Sequence, residues 1–514
     1  MSILLSDTKE KEWLTIEEIN AILFDGKKLE LSESKTNRVN ESFNFLNSFI
    51  KDKVIYGVNT GFGPMAQYRI SDNDRIELQY NLIRSHATGQ GKPIAVEMVK
   101  AAVLARFNTL SLGFSGVHIS VIELMKELIN KDIYPVIFSH GSVGASGDLV
   151  QLAHLALTLI GEGEVWYKNE RKLTKDVFEI ENIQPITIHI REGISVMNGT
   201  SVMSGIGLIN LQYSKKIIQK AIEASCLINE LVETFDDHFS LELNQSKLHK
   251  GQRWIAEQMR EYLSESKLTR SRQEHLYSGS NTEEVFKEKV QEYYSIRCVP
   301  QILGPIKETL DQTENVLINE VNSASDNPIV DLETQQVYHG GNFHGDYISL
   351  EMDKLKLAIT KLSMLMERQL NYLLNAKIND IFPPFVNLGQ LGFNFGMQGA
   401  QFTATSTTAE NQALSTSMYI HSIPNNNDNQ DVVSMGTNAA LLCNQVIENT
   451  FEVLAIHFIT IAQAMDSKGL DKGFSQKSMS IYQEIRNILP RIEKDVVLYP
   501  YIQQVKDLLK SNKI

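Results

Sequence analysis

Cysteine is nearly absent from this chain: three residues, Cys226, Cys298 and Cys443, in 514. They stand far apart and form no CxxC pair, so neither a zinc site nor a disulfide framework is indicated. Each reads as a small core residue, and the chain as one suited to a reducing cytoplasm. Positive charge is also short. Lys and Arg number 49 against 62 Asp and Glu, a formal net charge of −13. That balance argues against nucleic acid or an anionic membrane as partner. No apolar run reaches the length of a membrane span. Residues 1–13 are rich in Lys, Glu and Asp and have no apolar h-region, so a secretory signal is not expected. Internal repeats and low-complexity tails are lacking too.

What is present is enough apolar sequence, 42% of the chain, for one large helical body or two or more domains. Up to about residue 200 the chain alternates short helical patterns with glycine-containing loops. Helices are expected at 15–24, 34–49, 76–83 and 96–112. A three-glycine loop is expected at 56–64. Beyond Asn198, long stretches without proline carry apolar residues at three- and four-residue spacing. They predict helices at 201–235, 282–294, 306–322, 348–374, 398–414 and 432–465. Short strands are expected near 186–190 and 329–337. The fold class is therefore mainly α: a long helical bundle over 201–514 behind a mixed N-terminal domain over 1–200. Helices apolar around much of their circumference need partners on several faces, so a homo-oligomer is expected.

One run stands out from ordinary structural need: Gly141-Ser142-Val143-Gly144-Ala145-Ser146-Gly147-Asp148. It leaves little side chain to pack and lets other groups approach the backbone. Its glycine spacing fits neither the dinucleotide fingerprint nor the hydrolase elbow. The plain alternative is a tight turn before a helix, with Asp148 near its N-terminus.

The stretch from Gly141 to Leu157, GSVGASGDLVQLAHLAL, resembles the signature of the aromatic amino acid ammonia-lyase and aminomutase family. In that family the tripeptide corresponding to Ala145-Ser146-Gly147 cyclises to 4-methylidene-imidazol-5-one, MIO. The glycine nitrogen attacks the alanine carbonyl carbon, two waters leave, and the serine becomes an exocyclic methylene. The residue types suit the chemistry: glycine and alanine allow the approach, and serine holds the hydroxyl that leaves. The resemblance implies a fumarase/aspartase-like, antiparallel helical architecture and a homotetramer with active sites shared between chains. It implies no external cofactor and no metal.

Further blocks carry the resemblance in the family's order. Tyr56-Gly57-Val58-Asn59-Thr60-Gly61-Phe62-Gly63 is similar to the inner lid. It implies Tyr56 as catalytic base, acting as phenolate, with Gly63 at the substrate. Val196-Met197-Asn198-Gly199-Thr200 implies Asn198 beside MIO and the substrate carboxylate; its glycosylation sequon has little weight in a cytoplasmic protein. Gln291 through Cys298 (QEYYSIRC) implies Arg297 as carboxylate clamp, Tyr294 against the reacting atoms, and Gln291 as a positioning group. His339 through Asp346 (HGGNFHGD) has no metal-ligand spacing, and the resemblance assigns Phe343 as an aromatic wall. Asn429 and Gln430, in a turn-rich asparagine run, are implied contacts to MIO or substrate. Glu410 is implied near the substrate amine or ring.

The implied reaction removes ammonia and a β-proton from an aromatic L-amino acid. Selectivity rests on Ser85-His86, a pair that histidine ammonia-lyases also carry. Asn429 through Met435 (NQDVVSM) resembles the tyrosine and phenylalanine enzymes instead. The whole chain looks most like flavobacterial tyrosine ammonia-lyases. The expectation is thus conversion of L-tyrosine to trans-4-coumarate. Histidine ammonia-lyase is the alternative and a tyrosine 2,3-aminomutase a further one. A non-catalytic helical scaffold would have lost Tyr56, the triad or Arg297, and none is lost.

Overall fold

Apolar spacing does become helix along most of the chain in the computed structural model, which describes residues 3–5, 13–278, 284–286 and 289–511. Among these residues the protein is mainly helical, with short strands. The first helix, Ile16–Leu23, opens on a capping box in which Thr15 and Glu18 satisfy each other's backbone N–H groups. Glu33–Phe49 starts at the side-chain cap of Ser32. Helices Arg75–His86 and Val96–Ser111 follow. The later helices are Ser201–Leu231, Val299–Val321, Asp346–Leu374, Gln398–Leu414 and Gly436–Lys468. Val299–Val321 begins earlier than expected. Pro300 is tolerated in the first helical turn, and Pro305 sits inside the helix.

Two expectations fail. A helix over 282–294 is not formed among the described residues; 279–283 and 287–288 lie outside them. Only Tyr294–Arg297 is helical. Val285, Phe286 and Val290 are exposed, so the apolar spacing there faces no core that would hold a helix. The segment 186–190 is not a strand either. Its backbone donors go elsewhere, Ile186 N–H to Leu159 O and Ile188 N–H to Tyr80 Oη, so no ladder forms. The segment 329–337 becomes a hairpin, Ile329–Asp331 paired antiparallel with Gln336–Tyr338.

The chain divides into two compact units, each drawn from three stretches. The first holds Met1–Leu211, Thr313–Asp353 and Ser417–Cys443; the second holds Gln212–Gln312, Lys354–Thr416 and Asn444–Ile514. The division differs from the contiguous 1–200 and 201–514 read from composition. Ser201–Leu231, Val299–Val321, Asp346–Leu374 and Gly436–Lys468 each contribute residues to both units, so four of the five boundaries fall within a helix and the fifth, between Thr416 and Ser417, follows helix Gln398–Leu414. All strands among the described residues lie in the first unit.

Helices Ser201–Leu231, Asp346–Leu374 and Gly436–Lys468 are buried around most of their circumference, whereas Val299–Val321 and Gln398–Leu414 bury one stripe. Along Gly436–Lys468 the fully buried positions include Ala440, Val446, Ile447, Phe451, Leu454, Ile459 and Met465. Each such large aliphatic side chain contributes roughly 2 kcal/mol by leaving water. Cys226 and Cys443 are buried and Cys298 is half-buried, and the two buried thiols pack as small apolar groups. No helix among the described residues is long and apolar enough to cross a membrane.

Candidate functional site

The glycine-rich run lies between strand Phe138–His140 and helix Leu149–Leu159, in the first unit. It is pinned on every side. Val143 O accepts from Met435 N at 3.0 Å, and Gly144 O accepts from Gly345 N at 3.0 Å and Ser434 Oγ at 2.9 Å. Asp148 N donates to Gly199 O at 2.8 Å. The Asp148 carboxylate is wholly buried and accepts from Ser142 Oγ, Thr437 Oγ1, Val202 N and Met203 N. Two of these donors are free N–H groups in the first turn of helix Ser201–Leu231. Burial pushes the Asp148 carboxyl up from its usual value, and the four hydrogen bonds oppose that shift.

At the centre of the run, Ser146 is held from two directions. Its carbonyl accepts from Asn198 Nδ2 at 3.0 Å, and its Oγ accepts from Gln430 Nε2 at 2.9 Å. Gly147 has φ +68°, and a Cβ there would stand 2.1 Å from Gly199 O. Only glycine fits that turn. Ala145 is buried beneath it. The tripeptide therefore has what ring closure asks for: a tight turn, a small residue on each side, and donors on both serine oxygens. These residues fit the MIO precursor.

A cavity of about 370 Å3 opens over Ser146, a size suited to one small ligand. Its lining includes Tyr56, Gly63, His86, Ser146, Asn198, Phe343, Asn429 and Gln430. Eight residues expected from sequence thus meet at one place.

Tyr56 Oη accepts from Gly63 N at 3.0 Å, which fixes the phenol oxygen at the cavity wall. The Tyr56 N–H donates to His339 Nε2 at 3.3 Å. His339, from the histidine-rich run, thus orders the Tyr56 backbone, and burial lowers the His339 pKa. The loop is pinned rather than loose: Gln79 Nε2 holds Gly57 O and Thr60 Oγ1 accepts from Gly57 N. The asparagine run turns through three consecutive left-handed residues, Asn426, Asn427 and Asp428, before Asn425 pairs with Gln430. Asn and Asp visit that region more cheaply than other side chains.

His86 ends helix Arg75–His86. Its Nδ1 lies 3.0 Å from Leu82 O. A carbonyl only accepts, so Nδ1 carries the proton and Nε2 is left as an acceptor. Ser85 stands beside this cavity. It is not among the cavity's lining residues; its Oγ contacts Leu82 O and His86 Nδ1. One helical position from His86, it faces a neighbouring groove and orients the imidazole.

Four further residues do not join this lining. Gln291, Tyr294, Arg297 and Glu410 belong to the second unit. Arg297 Nη1 donates to Gln291 Oε1, its guanidinium stacks 4.6 Å from the Tyr294 ring centroid, and Tyr294 is 70% exposed. These three share a cavity of about 840 Å3 with Lys289, Arg368 and Tyr372. Glu410 is exposed on helix Gln398–Leu414 and accepts from Asn449 Nδ2. Chain-local motifs say which side chains exist, not which cavity they enter.

Sequence reading missed Asn327 and Asn426, which line the cavity. Asn327 Oδ1 accepts from Gly340 N at 2.8 Å. Its only advance signal was the Asp-Asn-Pro run.

The chain has known relatives. The sequence profile described as aromatic amino acid lyase matches residues 14–487. A histidine ammonia-lyase from Caldanaerobacter subterraneus subsp. tengcongensis is 37% identical over 98% of this chain and 96% of its own length. Other bacterial histidine ammonia-lyases match at 36–37% over similar spans. A tyrosine 2,3-aminomutase from Chondromyces crocatus is 37% identical over 88% of this chain and 86% of its own length. The solved phenylalanine aminomutase of Pantoea agglomerans superposes with a TM-score of 0.95 at 32% identity, covering 99% of both chains. On these grounds the chain belongs to the aromatic amino acid lyase family.

Proposed function

We propose that this protein eliminates ammonia from an L-amino acid whose side chain is a polar aromatic ring. The reading rests on an electrophile made from Ala145-Ser146-Gly147. When formed, MIO supplies an electrophilic methylene that makes the departing amine a better leaving group. The chain's own groups do the rest. Asn198 and Gln430 hold the serine oxygens of the tripeptide. Tyr56, with its oxygen under the Gly63 N–H, takes the β-proton. Phe343 walls the ring.

The observation that carries the substrate class is His86. Its ring lines the cavity with Nδ1 turned to Leu82 O, so Nε2 is the acceptor left for a substrate and asks for a ring that donates. An imidazole N–H or a phenol O–H satisfies it; a phenyl ring leaves it unpaired, which discriminates against phenylalanine. Between the two donors, the relatives support L-histidine, the alternative in the sequence reading, over L-tyrosine. Tyrosine remains the second reading. It is supported by the Asn429-Gln430-Asp431 block and by the tyrosine 2,3-aminomutase relative, which also keeps a mutase outcome in the test. Gln291, Tyr294, Arg297 and Glu410 reach substrate from a second copy of the chain, as in a homotetramer with shared sites. The exposure of Gln291, Tyr294 and Glu410 on the second unit supports that assignment.

An ultraviolet assay with histidine, tyrosine and phenylalanine in parallel tests the reading. Urocanate identifies a histidine lyase and 4-coumarate a tyrosine lyase. A β-amino acid in place of either identifies a mutase. Cinnamate as the fastest product overturns the role given to His86.

A further inference from the structure

Arg106 lies in helix Val96–Ser111 and is wholly buried. It forms no ion pair within salt-bridge distance among the described residues; the nearby Asp326 carboxylate is paired with Arg191. Burial lowers the Arg106 pKa from its usual value to about 10. An unpaired buried cation is costly, so what it holds matters. Its guanidinium donates to three backbone carbonyls: Ser195 O, Asn198 O at 2.8 Å and Ser325 O at 3.5 Å. The first two belong to the turn that leads into Asn198 and Gly199.

That turn has two faces. On the far side, Asn198 Nδ2 holds Ser146 O and Gly199 O holds the Asp148 N–H. These contacts bracket Gly147. On the near side, a Cβ on Gly199 would stand 2.1 Å from Arg106 Nη1 and 2.6 Å from Ser325 O. The turn is thus clamped between a rigid, three-pronged guanidinium and the backbone that must cyclise.

We infer that Arg106 is a positioning residue for cyclisation of Ala145-Ser146-Gly147, acting through the Asn198–Gly199 turn. The inference rests on the reading of the tripeptide as MIO precursor. The bond that forms joins Gly147 N to the Ala145 carbonyl carbon. The Ala145 oxygen leaves as water with the Gly147 and Ser146 amide protons, as a Ser146 N to Ala145 carbon double bond forms. The Ser146 hydroxyl leaves as a second water with the Ser146 Cα proton, forming the exocyclic double bond. No oxidant or co-reactant is needed. Gly147 N must sit in contact with the Ala145 carbon for closure, and a misplacement near 1 Å costs on the order of a hundredfold in rate. Arg106 keeps the turn that enforces the contact from relaxing backwards.

The test is intact mass of the full-length, folded protein at successive times after synthesis. It counts chains lighter by two waters and needs no turnover. Wild type is expected to be fully dehydrated. Arg106→Gln is expected to dehydrate on the order of a hundredfold more slowly. Arg106→Lys, which keeps the charge but not the fork, is expected to fall between. Arg191→Lys, a buried arginine that touches no carbonyl of residues 195–199, is the control and is expected to dehydrate like wild type. If Arg106→Gln does not fold, the comparison of Arg106→Lys with Arg191→Lys decides. Wild-type rates in the Arg106 variants overturn the inference, as does an equal deficit in Arg191→Lys at matched thermal stability. Wild type at full mass would instead sink the precursor reading itself.

Discussion

His86 shows how much one hydrogen bond decides. Its proton sits on Nδ1 because Leu82 O and Ser85 Oγ surround that nitrogen, and the accepting Nε2 follows. Replacing it by an apolar ring removes the unpaired acceptor that penalises a phenyl substrate. His86→Phe is expected to raise kcat/KM for phenylalanine relative to histidine and tyrosine by at least about tenfold. Steady-state kinetics on the three amino acids checks this, and an unchanged ratio would refute it. The importance of His86 was legible from the Ser85-His86 pair. The division of labour within the pair was not, because a helix turns about 100° per residue and only packing decides which neighbour faces the ligand.

At the scale of elements, the junction of helix Ser201–Leu231 with the glycine-rich run is the critical joint. Asp148 serves as an anion for the helix N-terminus from a distant place in sequence. Removing it orphans buried donors at Val202, Met203, Ser142 and Thr437. Asp148→Ala is expected to cost about 3 kcal/mol, read as a lower denaturant midpoint at unchanged slope. A loss below about 0.5 kcal/mol would mean that water replaces the carboxylate. Sequence periodicity located that helix and most others, because a helix's own residues carry its apolar face. Among the described residues it misplaced a helix expected over 282–294, where Val285, Phe286 and Val290 stay exposed. Spacing alone does not supply a partner surface.

For the whole molecule, two buried imidazoles set a response to acid. Burial lowers the His238 pKa to about 4 and that of His457 to about 3. In the unfolded chain both titrate near 6.5. Between pH 6.5 and about 4 the unfolded chain binds protons that the folded chain refuses, so stability falls with acidification across that window. Each group contributes at most about 1.4 kcal/mol per pH unit. His457→Leu is expected to flatten the dependence of Tm on pH between 6.5 and 4. Parallel curves for the two proteins would refute the assignment. A second prediction concerns assembly. If a second copy supplies Arg297 and Tyr294, co-expressing Ser146→Ala with Arg297→Ala chains should restore part of the activity that each lacks alone. Mixed assemblies as inactive as the separate variants would show that sites are not shared.

By itself the sequence determined the elements and the chemistry available to them: long helices from apolar spacing, a permissive Ala145-Ser146-Gly147 turn, and an asparagine run able to enter left-handed backbone. These are local properties, carried by residues a few positions apart. Only the tertiary structure decided which distant residues meet. It set Asn198 and Gln430 on the two oxygens of Ser146 and Thr437 on Asp148, and it buried Arg106 behind Asn198. Those contacts join positions tens to hundreds of residues apart. They form because buried polar groups must find partners once packing has excluded water.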